Sequence, residues 1–186
     1  MTLKRLVGWI FWLALLAAVI AAAGWKVYVT PDVDAAPEQS DVAYVIGPPT
    51  DARMQVALEL LQSGSADSLM VSLDPDETEW SLAQAACAGA GDFARYRVLC
   101  DMPDPFTTRG EAQWLESEVT AHEWDSASVI TFTPHIERAQ MYMERCFDGE
   151  LSMIDSGEDL ALWDWAYQYA YQTGAFMKAG LTYEQC

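Results

Sequence analysis

The sequence predicts an α/β fold, a doubly wound parallel sheet of about five strands, set behind one N-terminal transmembrane helix. Three observations carry that expectation. Short apolar runs alternate with helical patterns of about 10–14 residues, the rhythm of strand–helix–strand units with right-handed crossovers. Two of those runs, 42–47 and 127–133, are nearly continuous in apolar residues, as strands covered on both faces are. Twenty residues from Leu6 to Trp25 carry no charge at all.

That last stretch is long enough to cross a bilayer as a helix. Lys4 and Arg5 precede it and the acidic bulk follows, which leaves the N-terminus in the cytoplasm and the rest outside. Trp9, Trp12 and Trp25 suit the two interfaces. Ala21-Ala-Ala23 offers the alternative, an A-x-A-like site for cleavage of a signal peptide. The apolar run is longer than a usual signal core of about 7–15 residues, which favours a retained anchor. Both readings export the domain. The divisions are then a cytoplasmic n-region over 1–5, the anchor over 6–25, an extended linker over 26–41 with Pro31 and Pro37, and an extracytoplasmic domain over 42–186.

The elements of that domain follow in order. A first strand over 42–47 ends in Gly47-Pro-Pro49. A helix over 51–63 carries Met54, Ala57, Leu58 and Leu61 on one face. The second strand is 68–73, and Asp76-x-x-Glu79 reads as a capping box opening a helix to about Ala88. The third strand is 96–100. Thr108-x-x-Glu111 reads as a second capping box, opening a helix to about Ala121. The fourth strand, 127–133, turns into a helix over 134–146, with Thr133 as N-cap and Pro134 at the first helical position. A short edge strand follows over 150–154. The last helix, 159–179, has so many aromatics that they alternate like a strand. Its length and its Ala and Gln content favour a helix with Leu160, Trp163, Tyr167 and Ala170 on one face. Those aromatics are expected to pack on the domain, while Trp165 and Tyr169 could face a membrane or partner.

Charge and cysteines bound the function. All 28 acidic residues lie after residue 31, against seven Lys and Arg, a net of −21 for the exported part. Nucleic acid and anionic surfaces would be repelled, so nucleic-acid binding is excluded. Four cysteines in an exported chain imply two disulfides. Cys87 and Cys100 are separated by one short loop and a strand, and Cys146 near a helix end could staple Cys186. The favoured pairing is therefore Cys87–Cys100 and Cys146–Cys186. No Cys/His cluster has zinc spacing.

Ligands of doubly wound sheets bind beyond the carboxyl ends of the strands. There the sequence places Gly47, Thr50, Ser72, Thr107, Thr108, Arg109, Thr131, Thr133, His135 and Arg138, with Arg53 opening the first helix. Three of the seven exported cations, Arg53, Arg109 and Arg138, thus fall in first helical turns, where positive charge is disfavoured unless an anion sits with it. Helix N-termini with arginine forks make an anion site suited to phosphate. His135 at a helix head has its charged form disfavoured, which suits a neutral acid/base group. The chain has no GxGxxG, Walker loop or GxSxG elbow, and Pro48-Pro49 remove two backbone donors from the first loop.

Between Asp41 and Ile154 the chain resembles the YdcF/ElyC/SanA-like envelope proteins. The marks are Asp41-Val-Ala-Tyr-Val-Ile-Gly47, Arg53 on the next helix, Leu69-Met-Val-Ser-Leu73, and Thr108-Arg-Gly-Glu-Ala112. The most specific is Ile130-Thr-Phe-Thr-Pro-His-Ile-Glu-Arg-Ala139, similar to the family's strand followed by Thr-Ser-x-His-x-x-Arg-Ala. The resemblance implies a Rossmann-like domain behind one or two transmembrane helices. It also implies a role in bacterial envelope building, in peptidoglycan or lipid-carrier-linked polysaccharide metabolism. It places Arg53, Ser72, Thr108, His135 and Arg138 around a pocket. Here the family's first glycine-rich loop is Gly-Pro-Pro, its Ser-Gly-Gly is Ser72-Leu-Asp, and its Thr-x-Glu-Asn is Thr108-Arg-Gly-Glu111.

The expected function is therefore an anchored extracytoplasmic protein acting on a phosphate-containing envelope precursor. Arg53 and Arg138 would clamp the phosphate with Arg109 beside them, Ser72, Thr108 and Thr133 would hydrogen-bond, and His135 would exchange protons. The alternative is an envelope protein that binds such a ligand or a partner without catalysis. No ligand set demands a divalent metal, which the sequence leaves open. A nucleotide or methyl donor rests on fold analogy alone, and export argues against it.

Overall fold

A computed structural model describes residues 3–34, 39–74, 80–181 and 186. Its centre is a five-stranded parallel sheet: β1 (Ser40–Val45), β2 (Ala66–Ser72), β3 (Arg97–Asp101), β4 (Ser126–Thr131) and β5 (Glu150–Asp155). The spatial order is β3-β2-β1-β4-β5, every pair parallel. The apolar runs that looked central are central, and the short last strand lies at an edge.

Helices cover both faces: α2 (Asp51–Ser63) and α3 (Ser81–Cys87) on one, α4 (Thr108–His122) and α5 (Ile136–Cys146) on the other. The two-residue period of a strand explains how one run serves both. Ala43 and Val45 pack toward Met54, Ala57, Leu61 and Phe93, while Val42, Tyr44 and Ile46 pack toward Ala112, Leu115, Ile136 and Met143. Chain order reverses beside β1, between β2 and β4, which opens a crevice at the carboxyl ends of β1 and β4.

Local chemistry sets the helix ends. The Thr50 hydroxyl accepts from the Arg53 N–H to cap α2, and Gly64 closes that helix at φ 79°, a left-handed conformation suited to glycine. Thr107, not Thr108, caps α4 by accepting from the Gly110 N–H, which leaves Thr108 and Glu111 for other partners. The fourth strand also ends sooner than expected. Thr133–His135 form a 3₁₀ turn, α5 begins at Ile136, and Thr133 makes no capping bond. Its hydroxyl donates instead to Asp155 at 2.8 Å. The capping box expected at Asp76–Glu79 falls outside the described residues. Disulfides join Cys87 to Cys100 and Cys146 to Cys186, stapling α3 to β3 and the end of α5 to the C-terminal residue.

The N-terminal helix α1 (Leu3–Gly24) continues into a π-helical turn over Trp25–Val29, and residues 5–29 are long and apolar enough to cross a membrane. The expected extended linker is in part docked. Tyr28 is buried, and Asp34 exchanges hydrogen bonds with the backbone of Met153 on β5.

The last helix, α6 (Leu162–Leu181), overturns one expectation. Trp163 and Tyr167, read as its packing face, are 83% and 63% exposed, whereas Gln172 and Ala179 are buried. The aromatic alternation hid the true inner stripe because that stripe is built on a polar amide. Tyr169 packs against the end of α1 and the turn after it, with the Tyr28 and Tyr169 rings 5.1 Å apart.

Candidate functional site

The first turns of α2, α4 and α5 meet above the carboxyl ends of β1, β2 and β4, and α6 lies across them. Two adjoining cavities fill this space. One, of about 750 Å³, is lined by Arg109, Arg138, Lys178, Phe106, Tyr142 and Tyr171 among others. The other, of about 290 Å³, reaches inward to Gly47, Glu111, His135 and Gln172. Phe106, Thr107, Thr108, Arg138 and Tyr171 line both, so the two form one cleft with a wide outer and a narrow inner part.

Arg138 sits at the junction. Its Nε donates to the Gln172 side-chain oxygen at 2.7 Å and Nη1 donates to Thr108 Oγ1 at 2.8 Å. Both acceptors are neutral, so they fix the guanidinium without cancelling its charge. Burial moves its pKa down from the ordinary arginine value, opposed by Tyr171, Tyr142 and Glu111, and the guanidinium stays protonated.

His135 lies beneath it, only 4% exposed. Its Nε2 is 3.2 Å from Thr108 Oγ1 and its Nδ1 is 3.0 Å from Thr131 Oγ1. With the ring neutral these contacts allow a continuous donor order from Arg138 through the Thr108 hydroxyl to Nε2, with Nδ1–H donating to Thr131. Burial, then Arg138 and Arg53, hold the imidazole pKa well below 6.5. The ring is neutral at pH 7, as its place near a helix head suggested, although burial rather than the helix is the main cause.

Arg53 was expected to clamp the same anion, and the structure gives it another occupation. Its guanidinium donates to the carbonyls of Ile46 at 3.2 Å and Pro48 at 2.8 Å, and pairs with the Glu158 carboxylate at 3.2 Å. The Thr50 hydroxyl bonds to that carboxylate too, and the Phe132 ring covers the guanidinium at 4.8 Å. The anion that a cation in this first turn calls for is supplied by the chain itself.

The remaining expected residues divide. Thr108 and Arg109 line the outer cavity, and Thr108 touches both Arg138 and His135. Ser72 is wholly buried beside Tyr44 and Glu111 and does not line either cavity. Thr133 is turned toward Asp155 instead of the cleft.

Five residues that matter were not read as site residues. Glu111, taken for a capping partner, is 3% exposed and accepts from the Gly47 N–H at 2.6 Å, with its pKa raised by burial against the pull of Gly47, Ser72, Arg53 and Arg138. It fixes the first loop. Gln172, Lys178 and Glu158 lie in or just before α6, far along the chain from the motifs. Only the lone Lys178 in an acidic, aromatic segment carried a sequence signal. Gly110 was legible only as part of a motif, but a Cβ there would lie 2.0 Å from the Pro105 carbonyl oxygen. Its bareness lets the 103–107 loop, with Phe106 and Thr107, fold down over α4.

Among the described residues the one His/Cys/carboxylate cluster with metal-like spacing is Glu116 with Cys146 and Cys186. Both cysteines are tied up in their disulfide, and none of the three residues lines the cleft. Compared with protein-family models, curated proteins and solved structures, the chain matches none of them. The likeness to the YdcF/ElyC/SanA-like proteins rests on the motifs alone.

Proposed function

We propose that this is a membrane-anchored extracytoplasmic protein of the bacterial envelope whose cleft takes a phosphate-containing envelope precursor. The observation that carries the reading is the meeting of Arg109, Arg138 and Lys178 on one aromatic-lined cavity in a domain otherwise rich in acid. Three of only seven exported cations line a single cleft, and cations concentrated there attract and orient an anion. Arg138 provides the fixed fork, Arg109 and Lys178 the surrounding charge, and Phe106, Tyr142 and Tyr171 an apolar wall for the non-phosphate part of the ligand.

His135 and Thr108 would carry the chemistry. A neutral imidazole holding the Thr108 hydroxyl, with Arg138 on the same oxygen, can take a proton from that hydroxyl or from a group that displaces it. Positioning and charge stabilisation would supply most of any rate enhancement in phosphoryl transfer. The anchor belongs to the same reading: α1 is retained, and holds the cleft beside the outer face of the membrane.

A second reading, binding without catalysis, is favoured by the capture of Arg53 by Glu158, which removes one of the expected clamps. Two measurements test these. Pyrophosphate added to the full-length protein in detergent should raise its melting temperature, since a ligand at about 100 times its Kd stabilises by about 2.7 kcal/mol. The absence of any shift at millimolar pyrophosphate would sink the anion pocket. Complementation of an envelope defect by His135→Ala then separates the readings, because rescue as full as wild type leaves only the binding role.

A further inference from the structure

The outward face of α6 is uncharged at its N-terminal end. Leu162, Trp163 and Ala166 are all exposed there, whereas Ala170 and Gly174, farther along, border the outer cavity. Trp163 and Leu162 are 83% and 81% exposed. Of the helix's charged residues, Asp164 projects about 100° round the helix from Trp163, and Lys178 stands at the far end beside the cleft. In a domain of net −21 such a surface calls for a neighbour.

The contacts of α6 with α1 say where that neighbour is. The Tyr169 hydroxyl donates to the carbonyl of Ala21 at 3.2 Å. The Tyr169 ring lies so close to Gly24 that a Cβ there would be 2.6 Å from it. Farther along, Tyr28 bonds to Thr173 and packs on Phe176. The contacts pair in rising order on both segments, so the two run in the same sense. The N-terminal end of α6 therefore points the way the N-terminal end of α1 does, toward the bilayer. Ala21 is four residues before Trp25, about 6 Å deeper along the helix axis. Trp163 is six residues before Tyr169, up to about 9 Å farther in the same direction.

We propose that the N-terminal half of α6 lies in the outer membrane–water interface, with Leu162 and Trp163 inserted among lipid acyl chains beside α1. This rests on the retained anchor proposed above. Up to about 15 Å below Trp25, the Trp163 ring lies among the acyl chains of the outer leaflet, whose hydrocarbon is about 15 Å deep. A second copy of the chain is a poorer occupant, because two such acidic domains repel one another. The same acidity selects a zwitterionic surface over an anionic one. Since the other flanks of α6 carry Gln172 and Tyr171 into the cleft, the bilayer contact also fixes how the cleft is presented at the membrane.

The test uses the full-length chain, one molecule per phosphatidylcholine nanodisc, with and without lipids brominated in the upper acyl chain. The difference between wild type and Trp163→Phe isolates the emission of Trp163. Blue-shifted emission, quenched by bromolipid and shielded from aqueous acrylamide, is the expected result. Quenching by acrylamide with no effect of bromolipid overturns the proposal. So does insensitivity to both, which would mean that protein covers the residue. Failure of the anchor is read separately in the same sample: Trp9 and Trp12 lose their bromolipid quenching and the intact mass begins near Gly24.

Discussion

Arg53 and Arg138 occupy matching places, each in or near the first turn of a helix that follows a central strand, and each was expected to hold the same anion. Their surroundings give them opposite roles. Arg53, 2% exposed, is bound to two carbonyls and to the Glu158 carboxylate. Arg138, 9% exposed, is held by a neutral amide and a neutral hydroxyl and lines both parts of the cleft. A first-turn cation marks a ligand site only when its fixing partners leave its charge uncompensated. The identity of those partners, an amide or a carboxylate, decides between a site and a strut.

The largest expected effect falls on the strut. Arg53→Ala strips a buried ion pair and leaves Glu158, Ile46 and Pro48 with unmatched acceptors, so it should cost about 3–5 kcal/mol of stability. Pyrophosphate affinity per folded molecule should be unchanged. Chemical denaturation and calorimetric titration of the same sample measure both, and a large loss of affinity with stability intact would reverse the roles assigned to the two arginines.

Arg138→Gln should show the inverse pattern. Losing a charge-assisted contact worth about 1.5–3 kcal/mol corresponds to roughly 10–150-fold weaker pyrophosphate binding. The glutamine can still serve Thr108 or Gln172 in part, so stability should fall less than in Arg53→Ala. Equal affinity in variant and wild type would place the anion elsewhere.

Why the two arginines could not be told apart in the sequence is instructive. The sheet was legible because its determinants are local: the apolar runs at 42–47 and 127–133 need a period-two pattern buried on both faces, and that pattern is written in consecutive residues. The disulfides were legible because two of the helix and strand ends were placed well enough to bring their cysteines together. Arg138, His135 and Thr108 were legible as a cluster because topology alone brings first helical turns to one end of a parallel sheet. What the sequence withheld are contacts with α6 and the loop before it. Glu158 reaches Arg53 across 105 residues and Gln172 reaches Arg138 across 34, and no short pattern records such pairings. The inner stripe of α6 was misread for a physical reason as well. Its aromatics serve the cleft, α1 and the outward surface in turn, so hydrophobicity does not mark the face that packs.

His135 extends the comparison to protons, since both arginines depress its pKa. With the folded value well below 6.5, folded and unfolded chains both hold the ring neutral above that pH, and it contributes no pH dependence there. Below about pH 6.5 the unfolded chain takes up the proton and the folded one resists, so stability falls as pH falls, by up to about 1.4 kcal/mol per unit from this group. His135→Gln should flatten the slope between pH 6.5 and 5 relative to wild type. Parallel denaturation curves across that window would show that the ring is not held neutral. If His135 also serves as the base, Arg138→Gln should raise the pH at which activity is lost on acidification, because one of the two cations holding its pKa down is gone.

Lys178 separates buried from exposed charge within the cleft. It lies on the rim, exposed, whereas Arg138 is fixed and mostly buried at the junction of the two cavities. Interactions between exposed charges are worth about 0–1 kcal/mol and are screened over about 8 Å at physiological salt, about 3 Å at 1 M. Lys178→Ala should therefore weaken pyrophosphate binding only about two- to fivefold at low salt, in keeping with that range. At 1 M salt the variant and the wild type should bind alike, while the Arg138→Gln deficit persists. Titrations at the two ionic strengths decide it. A Lys178 effect that survives high salt would mean that the ligand draws α6 closed over itself and desolvates the lysine. The rim would then belong to the binding site in the same sense as Arg138.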